Sequence, residues 1–210
     1  TLGLSAYTPK NLQVKVLDGN IGYIRIHDWM DRRLTAKLRD ALVRFDKDKV
    51  KTWIIDLRGN PGGFATAAPM SLFLQDGVAL RARGRDGVVA DEQASGALLP
   101  ALKPLEILVD DGSASMSEMF ALSLQEQGVA HLVGTKTDGC IGRTFVAGNG
   151  DGSGLAVTRD TVLGPVTSVE LNGIGVTPDE VVERTVDDIV AGRDPQLEAA
   201  IAHLNSLTGQ

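Results

Sequence analysis

The chain has 210 residues, of which 21 are Lys or Arg and 27 are Asp or Glu, so its formal net charge is −6. This acidic balance argues against nucleic acid or an anionic membrane surface as a partner. The sequence has enough apolar residues for a packed core, but it lacks the run of about 18 that would cross a membrane. Its 24 glycines are unusually many, and they allow sharp turns and close approaches of the backbone. The single Cys excludes an internal disulfide.

The predicted elements alternate between short strands and helices. Residues 12–17 and 21–26 have the pattern of a β-hairpin, and 31–45 carries apolar residues at the spacing of an amphipathic helix. Two short apolar runs, 53–57 and 105–110, predict buried strands. The remaining predictions are helices over 65–75, 115–127 (stopped by Gly128) and 194–207 (capped by Asp194, with Pro195 first), a strand over 130–135, and short strands within 136–182.

The order of these elements indicates the fold class. Strand, loop and helix follow one another at 21–45, 53–75 and 105–127, which predicts an α/β fold of βα units around a largely parallel sheet. Functional sites of such sheets lie beyond the carboxyl ends of the strands. We expect one domain over 1–210, made of an N-terminal β-hairpin region (1–30), a βα core (31–135), short strands (136–182) and a C-terminal helix (194–207).

Two segments that follow buried strands carry the candidate chemistry. DDGSASMSE brings Ser115 to a helix N-terminus, where free backbone N–H groups can stabilise an oxyanion. A plainer interpretation is a helix cap, in which Glu118 closes a capping box with Ser115. RGNPGG (58–63) places two glycines at a strand-to-helix turn, where a bare backbone N–H can approach a ligand. A simple Gly-Pro turn is the alternative, and the phosphate-binding pattern that ends in Lys-Ser/Thr is absent.

Six segments of the chain follow one another in a recognisable order: IGYIRI, WIIDLRGNPGG, ILVDDGSASMSEMFALSLQEQG, HLVGTKTDG, DGSGLAVTRD and NGIGVTPDEVV. Together they resemble the C-terminal processing (tail-specific) serine peptidases over about residues 12–182. The resemblance implies a ClpP/crotonase-like core with a mixed sheet, a peptide or unfolded protein as substrate, no cofactor and an extracytoplasmic location. The PDZ domain of that family is not visible here, and TLGLSAYTPK is not expected to be a signal peptide.

The resemblance also implies roles for particular residues. Ser115 matches the nucleophile, and the backbone N–H groups of Met116 and Gly62 match the oxyanion donors, with Gly63 as an alternative to Gly62. The general base of the family is a Lys 25 residues after the nucleophile, and this position holds Cys140. A buried Lys can act as a base because burial lowers its pKa, whereas a thiolate is the stronger nucleophile.

The identity of the base is therefore open. His27 is an alternative, because some branches of the family use a His, and Asp28 beside it could orient the imidazole. Lys136 is another alternative, as a relocated base, and a missing domain or a second subunit could also supply the group. His131 is expected to be structural and His203 to lie on the surface.

Candidate substrate contacts are Gly63, Trp29 and Arg83. Arg81, Arg83 and Arg85 alternate and so share one face of a strand, where they form a solvated edge or bind a substrate carboxylate. Trp29 and Met30 line a substrate groove or pack in the core. No metal is expected, because no metal-binding spacing links the aspartates at 110, 111, 138 and 151.

These observations support two functions. The first is a serine endopeptidase that acts through Ser115. The second is a family member impaired in catalysis that binds a peptide or an apolar ligand, because the catalytic Lys is missing at position 140. A thioester-handling crotonase-like enzyme would share the oxyanion chemistry, but nothing in the sequence suggests a site for a nucleotide handle.

Overall fold

The computed structural model describes residues 11–96, 99 and 102–209. A six-stranded sheet and a four-stranded sheet form its framework. In chain order the elements are β1 (Leu12–Leu17), β2 (Ile21–Ile26), α1 (Leu34–Lys47), β3 (Thr52–Asp56), a 3₁₀ turn (Met70–Leu72), β4 (Val78–Gly84), β5 (Val89–Gln93), β6 (Leu105–Val109), α2 (Met116–Glu126), β7 (His131–Gly134), β8 (Gly142–Gly148), β9 (Gly154–Leu163), β10 (Glu180–Val181), α3 (Val186–Val190) and α4 (Pro195–Thr208).

The larger sheet has the order β1-β2-β3-β6-β7-β10, and its described strands pair in parallel except for the β1–β2 hairpin. β3 and β6 are buried along their whole length, as expected of strands covered on both faces. Because these two strands are parallel neighbours, the segments that follow them emerge side by side at one edge of the sheet.

Helices cover both faces of this sheet. Successive residues of β3 point to opposite faces, so Ile55 packs in one cluster with Leu38 of α1 and Phe120 of α2, whereas Ile54 packs in the other with Leu204 of α4. The smaller sheet is antiparallel, has the order β5-β4-β9-β8 and is largely exposed along β5, β8 and the first half of β9.

A buried ionic cluster, which we call the Arg58 network, fastens the start of α4 to β3. Arg58 donates to both oxygens of Asp56 at 2.7 and 3.0 Å and to Asp194 at 2.7 Å. The Tyr23 hydroxyl donates to Asp56 at 2.6 Å. Burial alone would raise the pKa of the Asp56 carboxyl, but the hydrogen bonds and positive charge of Arg58 outweigh it and lower that pKa.

Most of the elements predicted from the sequence are confirmed. The hairpin, the strands near 53–57, 105–110 and 130–135, and the helices near 31–45, 115–127 and 194–207 are all present, with ends within three residues of the prediction. The side chain of Asp194 caps α4 by accepting the Leu197 N–H, and Pro195 is the first helical residue. The α/β class with a mixed sheet and additional strands in the C-terminal half is confirmed as well.

The helix predicted over 65–75 is wrong, since only the 3₁₀ turn forms there. Pro69 lies in the middle of the segment, where it lacks an N–H for helical hydrogen bonding and disfavours the helical conformation of the preceding residue. β5 and α3 were not predicted, because neither element has a buried residue that would create an apolar pattern. The predicted start of the N-terminal region, including TLGLSAYTPK, lies outside the described residues. None of the helices that the structure describes has the length and apolar character needed to span a membrane.

Candidate active site

Ser115 lies between β6 and α2 in an unusual backbone conformation. Its φ of 55° and ψ of −116° are rare for a residue with a side chain. Ser115 is half-buried, whereas Met116 and Glu118 behind it are buried. A strained serine on a sharp turn from a strand into a helix presents its hydroxyl to solvent while the backbone stays fixed.

The Ser115 segment is attached directly to the Gly-rich loop that follows β3. The Ser113 hydroxyl donates to the Leu57 carbonyl at 2.9 Å. The carbonyl of Asn60 accepts both the Ala114 N–H at 3.0 Å and the Ser117 hydroxyl at 3.1 Å. Hydrogen bonds therefore continue to join the two segments beyond the carboxyl ends of β3 and β6.

Gly62, which is buried, and Gly63, which is half-buried, are the residues of that loop next to Ser115. Gly62 has a φ of 95°, and a Cβ atom there would lie 2.6 Å from the Cβ of Ser115. Its N–H donates to the Asn60 side-chain oxygen at 2.9 Å, so this group is already used. Within the described part of the chain, the N–H groups of Gly63 and Met116 have no hydrogen-bond acceptor. The arrangement therefore offers two free amide donors near the Ser115 hydroxyl.

An open cavity of about 600 Å³ contains both Ser115 and Gly63. This volume is typical of small-ligand sites. Trp29 forms one wall, and its indole N–H donates to the Ser117 hydroxyl at 2.9 Å, so the ring serves both the core and the cavity. The remaining walls come from the start of α1, from residues 64–66 and 69, and from residues 142–145 and 159 of the smaller sheet.

Glu118 joins the Ser115 segment to the segment that leads to Cys140. Its carboxylate accepts the Ser115 N–H at 2.9 Å, the Gly139 N–H at 2.8 Å and the Thr137 hydroxyl. Burial raises the pKa of Glu118 above the ordinary Glu value, and these three hydrogen bonds only partly oppose that effect. The residue just before Cys140 is therefore connected to the Ser115 segment through the side chain of Glu118.

The predicted bases are not gathered around Ser115. Cys140 is exposed and does not line the cavity. His27 is also exposed and outside it, and Asp28 accepts the Met30 N–H at 2.8 Å instead of orienting the imidazole. Among the residues that the structure describes, no Lys, His or Cys side chain forms a hydrogen bond with the Ser115 hydroxyl.

Lys136 faces a different cavity, which is lined among others by Arg25, Arg58 and Asp111. His131 was expected to be structural and His203 to lie on the surface. In the structure both contact the buried carboxylate of Glu106. No sequence spacing could have indicated this contact, because His203 comes from the last helix and the other two residues come from the sheet.

The arginines of β4 are engaged in ion pairs and do not line the Ser115 cavity. Arg83 pairs with Glu170, and Arg81 binds Asp91 through two hydrogen bonds of 2.7 and 2.8 Å. Arg32, Arg143 and Arg159 line the cavity instead. Sequence reasoning missed these three because they lie on separate elements and share no motif.

The structure therefore places a serine at a helix N-terminus beside a glycine loop, next to the larger sheet of an α/β fold. Residues 20–182 match the description "Peptidase family S41", and the chain belongs to this family. The match confirms the resemblance drawn from the sequence motifs.

Three comparisons illustrate the similarity. The chain is 32% identical over 188 residues to a carboxy-terminal-processing protease of Bartonella bacilliformis, covering 86% of this chain and 43% of that protein. It is 33% identical over 197 residues to a carboxyl-terminal-processing protease of Synechocystis, covering 90% and 44% respectively. The solved structure of a photosystem II D1 C-terminal processing protease superimposes with a TM-score of 0.74 at 26% identity, over 84% of this chain and 49% of that one. The chain thus spans less than half the length of these relatives.

Proposed function

We propose that this chain carries the catalytic unit of a serine endopeptidase of the C-terminal processing type, with Ser115 as the nucleophile. The observation that carries the proposal is the strained position of Ser115 at the N-terminus of α2, inside a cavity that it shares with Gly63. Membership of a peptidase family supports the same chemistry. An open cavity suits an extended peptide or an unfolded protein as the substrate.

In the proposed reaction the Ser115 hydroxyl attacks the scissile carbonyl and its proton passes to a base. The oxyanion of the tetrahedral intermediate accepts hydrogen bonds from the N–H groups of Met116 and Gly63. Gly63 takes the place first considered for Gly62, because the Gly62 N–H is already donated to Asn60. Collapse of the intermediate expels the amine and leaves an acyl-enzyme, which water then hydrolyses.

The base is the incomplete part of this mechanism. With Cys140 at the position of the family Lys, peptide cleavage is expected to be slow, because an amine leaving group needs a proton. A fluorophosphonate probe has a fluoride leaving group and makes a smaller demand on the base. We therefore expect the probe to label Ser115 more readily than peptides are cleaved.

The test is labelling of the folded chain by a fluorophosphonate probe, together with cleavage of an unstructured protein. The Ser115→Ala variant should abolish labelling and reduce cleavage to the background of the uncatalysed reaction. Ser206→Ala, at an exposed serine of α4, is the matched control and should leave them unchanged. Equal labelling of wild type and Ser115→Ala, or neither labelling nor cleavage by the wild type, would overturn the proposal.

A second candidate function is peptide or apolar-ligand binding by a catalytically impaired family member. It is favoured by the absence of any described Lys, His or Cys hydrogen-bonded to the Ser115 hydroxyl. Fluorescence anisotropy with a labelled unstructured peptide distinguishes the two functions. Saturable binding without cleavage over many hours supports the binding function, whereas product formation that depends on Ser115 supports the peptidase.

A further inference from the structure

A compact group of two imidazoles and one carboxylate lies on the α4 side of the larger sheet. Glu106 of β6 and His131 of β7 are direct partners in the parallel strand register. His203 of α4 reaches the same carboxylate, so three separate elements meet there. The His131 Nδ1 atom lies 2.8 Å from one Glu106 oxygen, and the His203 Nδ1 atom lies 2.7 Å from the other.

The carboxylate at the centre of this group is buried and lacks a permanent cation. The Glu106 side chain is 1% exposed, whereas the side chains of His131 and His203 are 30% and 32% exposed. Within the described residues, no Lys or Arg forms an ion pair with Glu106, in contrast to Asp56 and its partner Arg58. A buried negative charge of this kind is stabilised by a proton on an imidazole or by a bound cation.

The three donors match the preferences of a first-row transition metal. Imidazole nitrogen and carboxylate oxygen are common Zn²⁺ ligands, and one donor atom from each of the three residues lies within 4.8 Å of the others. Tetrahedral Zn²⁺ with ligand bonds of about 2.0–2.1 Å holds its donor atoms about 3.3 Å apart. The two Nδ1–O distances of 2.7 and 2.8 Å are shorter than this spacing, and all three donor atoms lie within 4.8 Å, so shifts of the side chains alone would bring them around one ion. The partial exposure of both rings leaves room for water as a fourth ligand.

We propose that Glu106, His131 and His203 form a binding site for one divalent transition-metal ion, of which Zn²⁺ is the best match. The ion would join α4 to β6 and β7, next to the apolar contacts of Ala200 and Leu204. Glu106 and His131 lie near the amino ends of their strands, whereas Ser115 follows the carboxyl end of β6. The site is therefore structural, and it is independent of the proposed peptidase chemistry.

The test is titration of the untagged, chelator-treated chain with Zn²⁺ by calorimetry at pH 7.5, combined with thermal unfolding. We expect one equivalent to bind, and a Zn²⁺ concentration of a hundred times Kd to raise Tm by about 5–10 °C. His131→Gln and His203→Gln should each weaken binding at least tenfold. Gln is the suitable replacement, because its amide can still donate to Glu106 and so preserve the contact that supports the fold.

Two matched controls exclude adventitious binding. His27→Gln removes the third His of the chain, and Cys140→Ser removes the exposed thiol. Both variants should bind Zn²⁺ like the wild type. The proposal fails if the wild type binds no Zn²⁺, if His203→Gln binds as tightly as the wild type, or if either control abolishes binding.

NMR of the wild type tests the proposal even if the His variants do not fold. The chain has three His, so their imidazole resonances can be followed individually by NMR. Zn²⁺ should shift the ring signals of His131 and His203 and leave those of His27 in place. Shifts confined to His27, or no shifts at all, would contradict the proposed site.

Discussion

The segment that presents Ser115 and the segment that leads to Cys140 differ in how fully their side chains are engaged. Around Ser115, hydroxyl and backbone groups bond to the Gly-rich loop, and two amide donors remain free near the hydroxyl. In the second segment, Thr137 and Gly139 bond to Glu118, but the Cys140 side chain is exposed and forms no hydrogen bond with any described residue.

The backbone of both segments is held in place, whereas the side chain that would act as a base is missing. Glu118 fixes the backbone on both sides, because it accepts an N–H from Ser115 and another from Gly139. The Asp138 N–H adds a direct bond to the Ser113 carbonyl at 3.1 Å. Hydrogen bonds therefore fix the backbone as far as Gly139, the residue before Cys140. What is missing at position 140 is a basic side chain.

The largest expected effect comes from supplying that base. Cys140→Lys should raise peptide cleavage by roughly 10²–10⁴-fold, the usual contribution of a positioned general base. Cys140→Met, which has similar length and no basic group, is the matched control and should give no gain. Steady-state rates with an unstructured protein substrate measure the change. A folded Cys140→Lys variant without any gain would show that the backbone does not point residue 140 at Ser115.

The Arg58 network provides a comparison in which a buried carboxylate has a permanent cation. Asp56→Asn leaves Arg58 buried with one fewer partner and should lower the free energy of unfolding by about 3–5 kcal/mol. Denaturant unfolding at pH 7 measures this loss. Labelling of Ser115, expressed per folded molecule, should stay within about twofold of wild type. A folded variant with little labelling would mean that the network also shapes the site.

The same carboxyl gives a pH dependence with a defined sign. Because the pKa of Asp56 is lowered in the folded state, its stabilising contribution is present above the ordinary Asp pKa and is lost as the pH falls through the lowered value. Wild type should therefore lose stability below about pH 4, and Asp56→Asn should lose less. The raised pKa of Glu118 acts in the opposite direction, because protonation at low pH relieves its burial. Parallel pH curves for wild type and Asp56→Asn would contradict this assignment.

An intermediate effect is expected where the two segments are joined. Glu118→Gln keeps the size of the side chain but replaces one acceptor oxygen by an NH₂ group, which would face a backbone N–H. An unsatisfied buried donor costs about 1–3 kcal/mol, so stability should fall by that amount. Labelling of Ser115 should fall as well, because its backbone loses a fixed partner. If fully folded Glu118→Gln were labelled as readily as the wild type, Glu118 would contribute to stability but not to the reactivity of Ser115.

The local structure around Ser115 was easier to predict from the sequence than the rest of the candidate site, for a physical reason. The segments 58–63 and 110–118 are continuous, carry glycines whose conformations are locally required, and follow strands with a clear apolar pattern. The use of the Gly62 N–H by Asn60 depends on a side-chain rotamer that no sequence pattern encodes. The contact of Glu106 with His131 and His203 depends on the docking of α4, and the presence of Arg143 and Arg159 in the cavity depends on the position of the smaller sheet.

The smallest effect is expected at Arg83, which the sequence suggested as a substrate contact. The structure pairs it with Glu170, and the two side chains are 41% and 40% exposed, so solvent screens most of their attraction. Arg83→Gln should change the free energy of unfolding by less than about 1 kcal/mol and leave the KM for peptides unchanged. Arg159→Gln is the matched comparison, because Arg159 lines the Ser115 cavity, and removal of its charge should raise the KM for peptides. A rise in KM for Arg83→Gln but not for Arg159→Gln would contradict this prediction. It would indicate that the substrate binds near β4 and contacts Arg83.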